Sequence, residues 1–145
     1  MKYNEIFGNL FELPNDYVLA HCISADFALG AGIAAQFAQR GVRNELYDNY
    51  MVNVWANTGY CLMTTNNSFT VANLVTKEKC YHKPTYKTLT EALIDFRNQL
   101  STPTKIGMPC IGCGLDRLNW DEVKDIIMQV FADTNHEITV CRISL

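Results

Sequence analysis

Three short apolar runs, each opening onto a loop that carries glycine or proline, constrain this chain more than any other feature. YVLAHCI (17–23), bounded by turn residues, has the pattern of a buried strand and leads into SADFALGAG. FTVANLVT (69–76) leads into KEKCYHKPTY, and KIGM (105–108) leads into PCIGCGLDRLNW. Between the runs lie segments of helical periodicity. GAGIAAQFAQR (30–40) spaces Ile33 and Phe37 one turn apart and stops at Gly41, and helix is expected to continue over 42–56. Thr88 and Glu91 form a T-x-x-E box ahead of a face made by Leu89, Leu93, Phe96 and Leu100. Asn119 and Glu122 form a second box ahead of Val123, Ile126, Ile127 and Val130. YCLMTT (60–65) pairs with FTVANLVT across NNS as a hairpin, and EITVCRI (137–143) closes the chain as a strand. Alternating strands and helices with one hairpin predict an α/β domain on a mixed sheet.

Length agrees with a single domain spanning 1–145. A chain of this size hides roughly 70% of its unfolded surface, so a core forms without staples. Twelve basic against fifteen acidic residues give a net charge of −3, which argues against a protein that grips nucleic acid mainly by its phosphates. The stretch MKYNEIFGNLFELPNDY has no apolar run behind its lysine, and no segment approaches the length of a membrane span. The six cysteines are scattered through apolar stretches. Without a secretory signal they read as free thiols in a reducing, cytoplasmic setting.

In open α/β sheets ligands sit beyond the carboxyl ends of the strands, and three unusual loops at three such ends point to one shared site. Gly30 and Gly32 in LGAGIA suit either a pyrophosphate cradle at a helix start or close helix–sheet packing. The spacing is not G-x-G-x-x-G, so a dinucleotide fingerprint is unsupported. Cys110-x-x-Cys113 could supply half of a zinc site with Cys80 and His82, but there is no second CxxC or H-x-x-x-H. A redox pair is disfavoured because Gly114 and Asp116 intervene before the helix; Gly112 and Gly114 suit a backbone nest for an anion. Asn119 is a better cap than Asp116, which leaves that carboxylate free. Lys77 reads either as a solvated strand-end lysine or, beside an anion loop, as an amine nucleophile. His82 and Tyr86 read as anchors in a proline-restricted loop, and Trp120 as a core residue.

Taken in order, AHCIS with D, LGAGIA and F, then VTK with HKPTY, then MP with IGCGLDRL and W resemble the macrodomain family. Within it they resemble the terminal ADP-ribose protein glycohydrolase, or O-acetyl-ADP-ribose deacetylase, branch. The resemblance covers effectively the whole chain. It implies a three-layer α/β/α sandwich holding ADP-ribose in a crest between two loops, with no metal and no cofactor. The first loop would be Ile23, Ser24 and the segment Gly30, Ala31, Gly32, Ile33, against the diphosphate and distal ribose. The second would be Pro109, Ile111, Gly112, Cys113, Gly114 and Leu115, with backbone amides of Gly112, Cys113 and Gly114 on phosphate and the cysteines as small fillers.

The resemblance further implies a lysine that attacks the anomeric carbon of the distal ribose and an aspartate acting as acid and base. Lys77 and Asp116 occupy those positions. The expected activity is release of ADP-ribose from ester-type linkages: acidic protein side chains, O-acetyl-ADP-ribose or nucleobase adducts. A non-catalytic ADP-ribose-binding module and an ADP-ribose 1''-phosphatase are the rival readings; expected partners are ADP-ribosylated substrates, no membrane, and the chain as a monomer. Two positions depart from the family pattern. Gly8-Asn9-Leu10 carries asparagine where an aspartate commonly meets the adenine amino group, and the last strand has Cys141, followed by Arg142, where an aromatic ring is common.

Overall fold

The computed structural model describes residues 1–52 and 57–142. Six strands form one sheet: β1 (Lys2–Phe7), β2 (Tyr17–Ser24), β3 (Tyr60–Thr65), β4 (Thr70–Lys77), β5 (Lys105–Met108) and β6 (Glu137–Arg142). Their spatial order is β1-β6-β5-β2-β4-β3, parallel throughout except for the antiparallel β3–β4 hairpin. The helices are α1 (Gly32–Gln39), α2 (Val42–Asn49), α3 (Tyr86–Asn98) and α4 (Trp120–Phe131), with a 3-10 turn at Leu10–Glu12.

β2 and β4 are central, so both of their faces are covered and they read as nearly continuous apolar runs. One face of the sheet packs Ala20, Ala72, Leu74, Ile106, Met108, Ile138 and Val140 against Leu89, Leu93 and Phe96 of α3 and Val123 and Ile127 of α4. The other packs Leu19, Ile23, Val71, Val75 and Cys141 against Phe37, Val42 and Leu46 of α1 and α2. The chain is thus the α/β/α sandwich with a mixed sheet that the sequence led us to expect.

The buried polar exception sits in the second core. His21 Nε2 and Asn73 Oδ1 lie 2.6 Å apart, and Asn73 Nδ2 donates to Leu62 O at 2.9 Å and to Thr64 Oγ1 at 3.1 Å. The His21 ring stacks on Phe37 with centroids 4.0 Å apart. Burial holds the imidazole at about 4, well below its usual range, because a charged ring there would have little water, although the Asn73 hydrogen bond opposes the shift.

Several boundaries differ from expectation. β1 was not anticipated: KYNEIF mixes polar and apolar residues because it is an edge strand with one neighbour. α2 ends at Asn49 rather than running on, its last turn closed by Tyr50 N–H on Leu46 O; residues 53–56 of the expected helix lie outside the described residues, as does 143 of the expected last strand. The cap of α3 is Thr85, not Thr88: Thr85 Oγ1 accepts the Thr88 N–H at 3.0 Å while Thr88 Oγ1 accepts the Thr85 N–H at 3.1 Å. A threonine can close the reciprocal box in place of Glu, and Glu91 lies too far along to do so. At α4, Asn119 Oδ1 accepts the Glu122 N–H at 3.3 Å as expected.

The ladder between β2 and β4 slips by one residue at its carboxyl end. Ile23 lies opposite Val75, but Ser24 lies opposite Lys77, so Thr76 is bulged out of register. The Ala25 N–H then donates to Lys77 O at 2.9 Å, carrying the pairing past the end of the strand.

Candidate active site

β2, β4 and β5 end side by side, and their loops meet over that rim. Lys77, the last residue of β4, reaches Asp116 in the loop after β5: Nζ to Oδ1 is 2.8 Å. Both side chains are largely withdrawn from water, at 15% and 16% exposure, so this is not a loose surface pair. An amine and a carboxylate brought from different strand ends into one hydrogen bond can pass a proton between them.

Three further contacts knit the loops together. Asp26, in the loop after β2, accepts the Ser24 hydroxyl at 2.5 Å and the Ala28 N–H at 3.1 Å through Oδ1, and the Cys80 N–H at 3.0 Å through Oδ2. Burial alone would raise its carboxyl, but these hydrogen bonds outweigh it and hold it below the ordinary carboxylate range. Lys83 Nζ donates to Leu115 O at 3.0 Å, tying the loop after β4 to the loop after β5. The Tyr86 hydroxyl accepts the Asn119 N–H at 3.0 Å, an anchor to backbone of the kind expected of it.

The first loop is tightly turned. Phe27 (φ 54°), Leu29 (φ 43°) and Gly32 (φ 58°) all lie in the left-handed region, a clustering of strain seen at ligand clamps. Arg43 of α2 supports it by donating Nε–H to Phe27 O at 3.0 Å. Ile23 and Ser24 are buried at the strand end, Gly30 and Ala31 are exposed, and Ile33 is half-buried on α1. The first amides of α1 lack intrahelical partners and carry the positive end of the helix dipole.

The second loop needs Gly112. Its φ is 73°, and a Cβ there would come within 2.9 Å of Leu118 Cδ1. Gly114 is different: it is exposed and a Cβ would meet no protein atom. The loop also differs from expectation in one respect: the Cys113 N–H is turned inward onto Cys110 O at 3.2 Å, closing a turn, so it does not stand ready for an anion beside Gly112 and Gly114. Pro109 and Cys113 are half-buried, Ile111 is buried, and Leu115 is exposed with Cδ1 3.7 Å from the Cβ position of Gly32, where the two loops approach.

Cys22 of β2 lies near this centre. Burial, and after it the Asp116 carboxylate, push its thiol up to about 12. Cys113 is pushed up to about 11, again chiefly by burial. Both stay protonated near neutral pH and behave as apolar filling. Cys80 is exposed, and among the described residues no three His, Cys, Asp or Glu side chains converge as a metal site, so Cys80, His82, Cys110 and Cys113 do not assemble. Trp120 is only half-buried, packed on the edge of the α3–α4 core.

Asn9 and Leu10 follow β1 at the far side of the rim. Asn9 Oδ1 accepts the Phe11 N–H at 2.9 Å and so caps the 3-10 turn, while the Leu10 side chain is buried in the core. Cys141 is likewise buried, and Arg142 pairs with Glu5 at 3.0 Å.

Sequence reasoning counted Asp26 in the family resemblance but gave it no role. Its signal was local: an aspartate followed two residues on by a free amide is an Asx turn, which marks a pinned loop.

The chain is 37% identical over 137 residues to human ADP-ribose glycohydrolase OARD1, covering 92% of this chain and 86% of that protein. The OARD1 protein of Bos taurus matches to the same extent. The chain belongs to the macrodomain family, in the branch of ADP-ribose glycohydrolase OARD1. Solved macrodomains share the fold. That of Thermus aquaticus DarG superposes with a TM-score of 0.76 at 20% identity, covering 96% of this macrodomain and 97% of that chain. Thermosipho africanus DarTG, solved in complex with ADP-ribose, gives 0.73 at 14% identity over 97% of this chain and 41% of that one. No protein-family model matches the sequence.

Proposed function

We propose that this macrodomain is a hydrolase that frees ADP-ribose from ester-type linkages, with Lys77 as nucleophile and Asp116 as acid and base. The observation that carries the reading is the 2.8 Å contact between Lys77 Nζ and Asp116 Oδ1 at the meeting of the three loops. A module that only bound ADP-ribose would not need this pair. The kinship with ADP-ribose glycohydrolase OARD1 supports the substrate, and a DarTG protein that shares the fold has been solved in complex with ADP-ribose.

The chemistry balances on these two groups. The Lys77 amine gives its electron pair to the anomeric carbon of the distal ribose as the carbon–oxygen bond to the carried group breaks. That pair of electrons leaves with the oxygen, and the surplus proton on nitrogen passes to Asp116. Asp116 then returns that proton to the nitrogen, water adds to the same carbon as the carbon–nitrogen bond breaks, and the proton that water sheds passes to the Asp116 carboxylate, so the lysine leaves as the amine. The first loop's strained turn and the second loop's Gly112 and Gly114 hold the diphosphate, so binding and cleavage draw on different residues.

Lys77→Ala tests this directly. Turnover of a glutamyl-ADP-ribosylated peptide is expected to fall by about three orders of magnitude or more, with ADP-ribose affinity within a few-fold of the parent. Asp116→Ala is expected to lose turnover and to retain ADP-ribose covalently on Lys77 as a mass increase in the intact protein. Near-normal hydrolysis by Lys77→Ala would rule out the covalent route.

A further inference from the structure

A cavity of about 330 Å³ adjoins Lys77 on the side of the loop that leads into α3. It is near the lower end of the roughly 300–1,000 Å³ range of small-ligand sites, room for an amino-acid-sized group and not for a nucleotide. Its lining includes Lys77 itself, the hydroxyl-bearing Thr76 and Thr88, and the charged or ionisable Glu78, His82 and Lys83. Thr76 is buried and its Oγ1 has no oxygen or nitrogen partner.

We infer that this cavity receives the group to which ADP-ribose is attached, and that Lys83 stabilises the carboxylate released there; the inference rests on the hydrolase reading above. When the bond at the ribose carbon breaks, the departing group has to lie within reach of the atom Lys77 attacks, and this cavity shares Lys77 in its wall. Lys83 is held in place rather than free to wave, because one of its N–H groups is fixed on Leu115 O, the residue before Asp116. Its other two N–H groups are donors that can point at a developing negative charge.

The lining also selects the kind of group. A carboxylate leaves as a stable anion and needs a nearby cation, not a proton donor, so Lys83 suits it. A nucleobase departs through a nitrogen that takes up a proton and spreads its charge over the ring, so it gains less from a single ammonium than a carboxylate does. A phosphate carries more charge than a carboxylate, and the Glu78 carboxylate in the same lining repels the excess. A singly charged carboxylate, such as the side chain of a glutamate or aspartate in a peptide, fits the balance.

The test compares the parent with Lys83→Gln and Lys83→Arg on three substrates: a glutamyl-ADP-ribosylated peptide, ADP-ribose 1''-phosphate and ADP-ribosylated thymidine in DNA. Lys83→Gln is expected to slow release from the glutamyl peptide about tenfold or more in kcat, with ADP-ribose Kd changed far less than kcat and Lys83→Arg restoring most of the rate. Glu78→Gln is expected to raise turnover of the 1''-phosphate relative to the glutamyl peptide. Unaltered glutamyl release in Lys83→Gln would overturn the assignment while leaving the hydrolase reading intact. A matched loss of ADP-ribose affinity would overturn it too, since Lys83 would then serve only to pin Leu115. If the parent itself releases nothing from any substrate, it is the hydrolase reading that fails, and the leaving-group site fails with it.

Discussion

Asp26 holds Cys80 across 54 residues of chain: its Oδ2 accepts the Cys80 N–H at 3.0 Å, joining the loop after β2 to the loop after β4. Lys77 lies three residues before that bond, so the carboxylate fixes the segment that carries the amine. Asp26→Ala removes three acceptor contacts, each worth about 1 kcal/mol net. Melting by calorimetry is expected to drop several degrees. ADP-ribose binding by titration is expected to weaken with kcat, because the loop that turns through Phe27 and Leu29 loses its pin. An unchanged Kd would show that the loop is held by Arg43 alone.

The two glycines of the second loop are expected to part company. Gly112→Val places a branched side chain at φ 73° and against Leu118, and should lower Tm by several degrees as well as abolish binding. Gly114→Val meets no protein atom, so Tm should hold. It should still lose ADP-ribose binding, since the new side chain would fill the space the ligand takes. Retained affinity in Gly114→Val would remove Gly114 from the binding loop.

Lys77→Arg separates the ion pair from the chemistry. A guanidinium can replace the ammonium opposite Asp116 and keep the fold, but it stays protonated and cannot attack carbon. Tm close to the parent with no measurable release of ADP-ribose is the expected pair of results. Turnover within tenfold of the parent would mean that Asp116 acts on a water without the lysine.

His21 gives the fold a pH dependence of predictable sign. Its folded value of about 4 lies below the unfolded value near 6.5, so the unfolded chain binds the proton more readily in between. Stability is therefore full above about pH 6.5 and falls as pH drops towards 4. Between pH 7 and 5 the loss from this residue is about 2 kcal/mol, read by urea denaturation. His136, also lowered chiefly by burial, adds in the same direction. His21→Gln should flatten most of the slope; an identical slope would place its origin elsewhere.

Legibility followed the type of signal. Buried strands β2 and β4 and the amphipathic α3 and α4 were readable because their apolar spacing is local and their surroundings uniform. β1 was not, since an edge strand needs no such spacing and is fixed by its ladder to β6, 135 positions away in register. The site divided in the same way. Type and place left Lys77 and Asp116 open between bland and chemical readings, the family resemblance singled them out, and their approach follows from the parallel order of β4, β2 and β5. The inward turn of the Cys113 amide, the Asp26–Cys80 bond and the Lys83–Leu115 bond depend on loop conformations that no residue pattern specifies.

The one-residue slip between β2 and β4 makes the end of β4 unequal towards two kinds of genetic change. A substitution at Thr76 alters one side chain and leaves the frame of the ladder alone. Loss of any one residue between Leu74 and Lys77 removes the slip, and with a two-residue repeat it turns every later position over to the opposite face. Lys77 would keep its identity and its neighbours in the chain yet face away from Asp116.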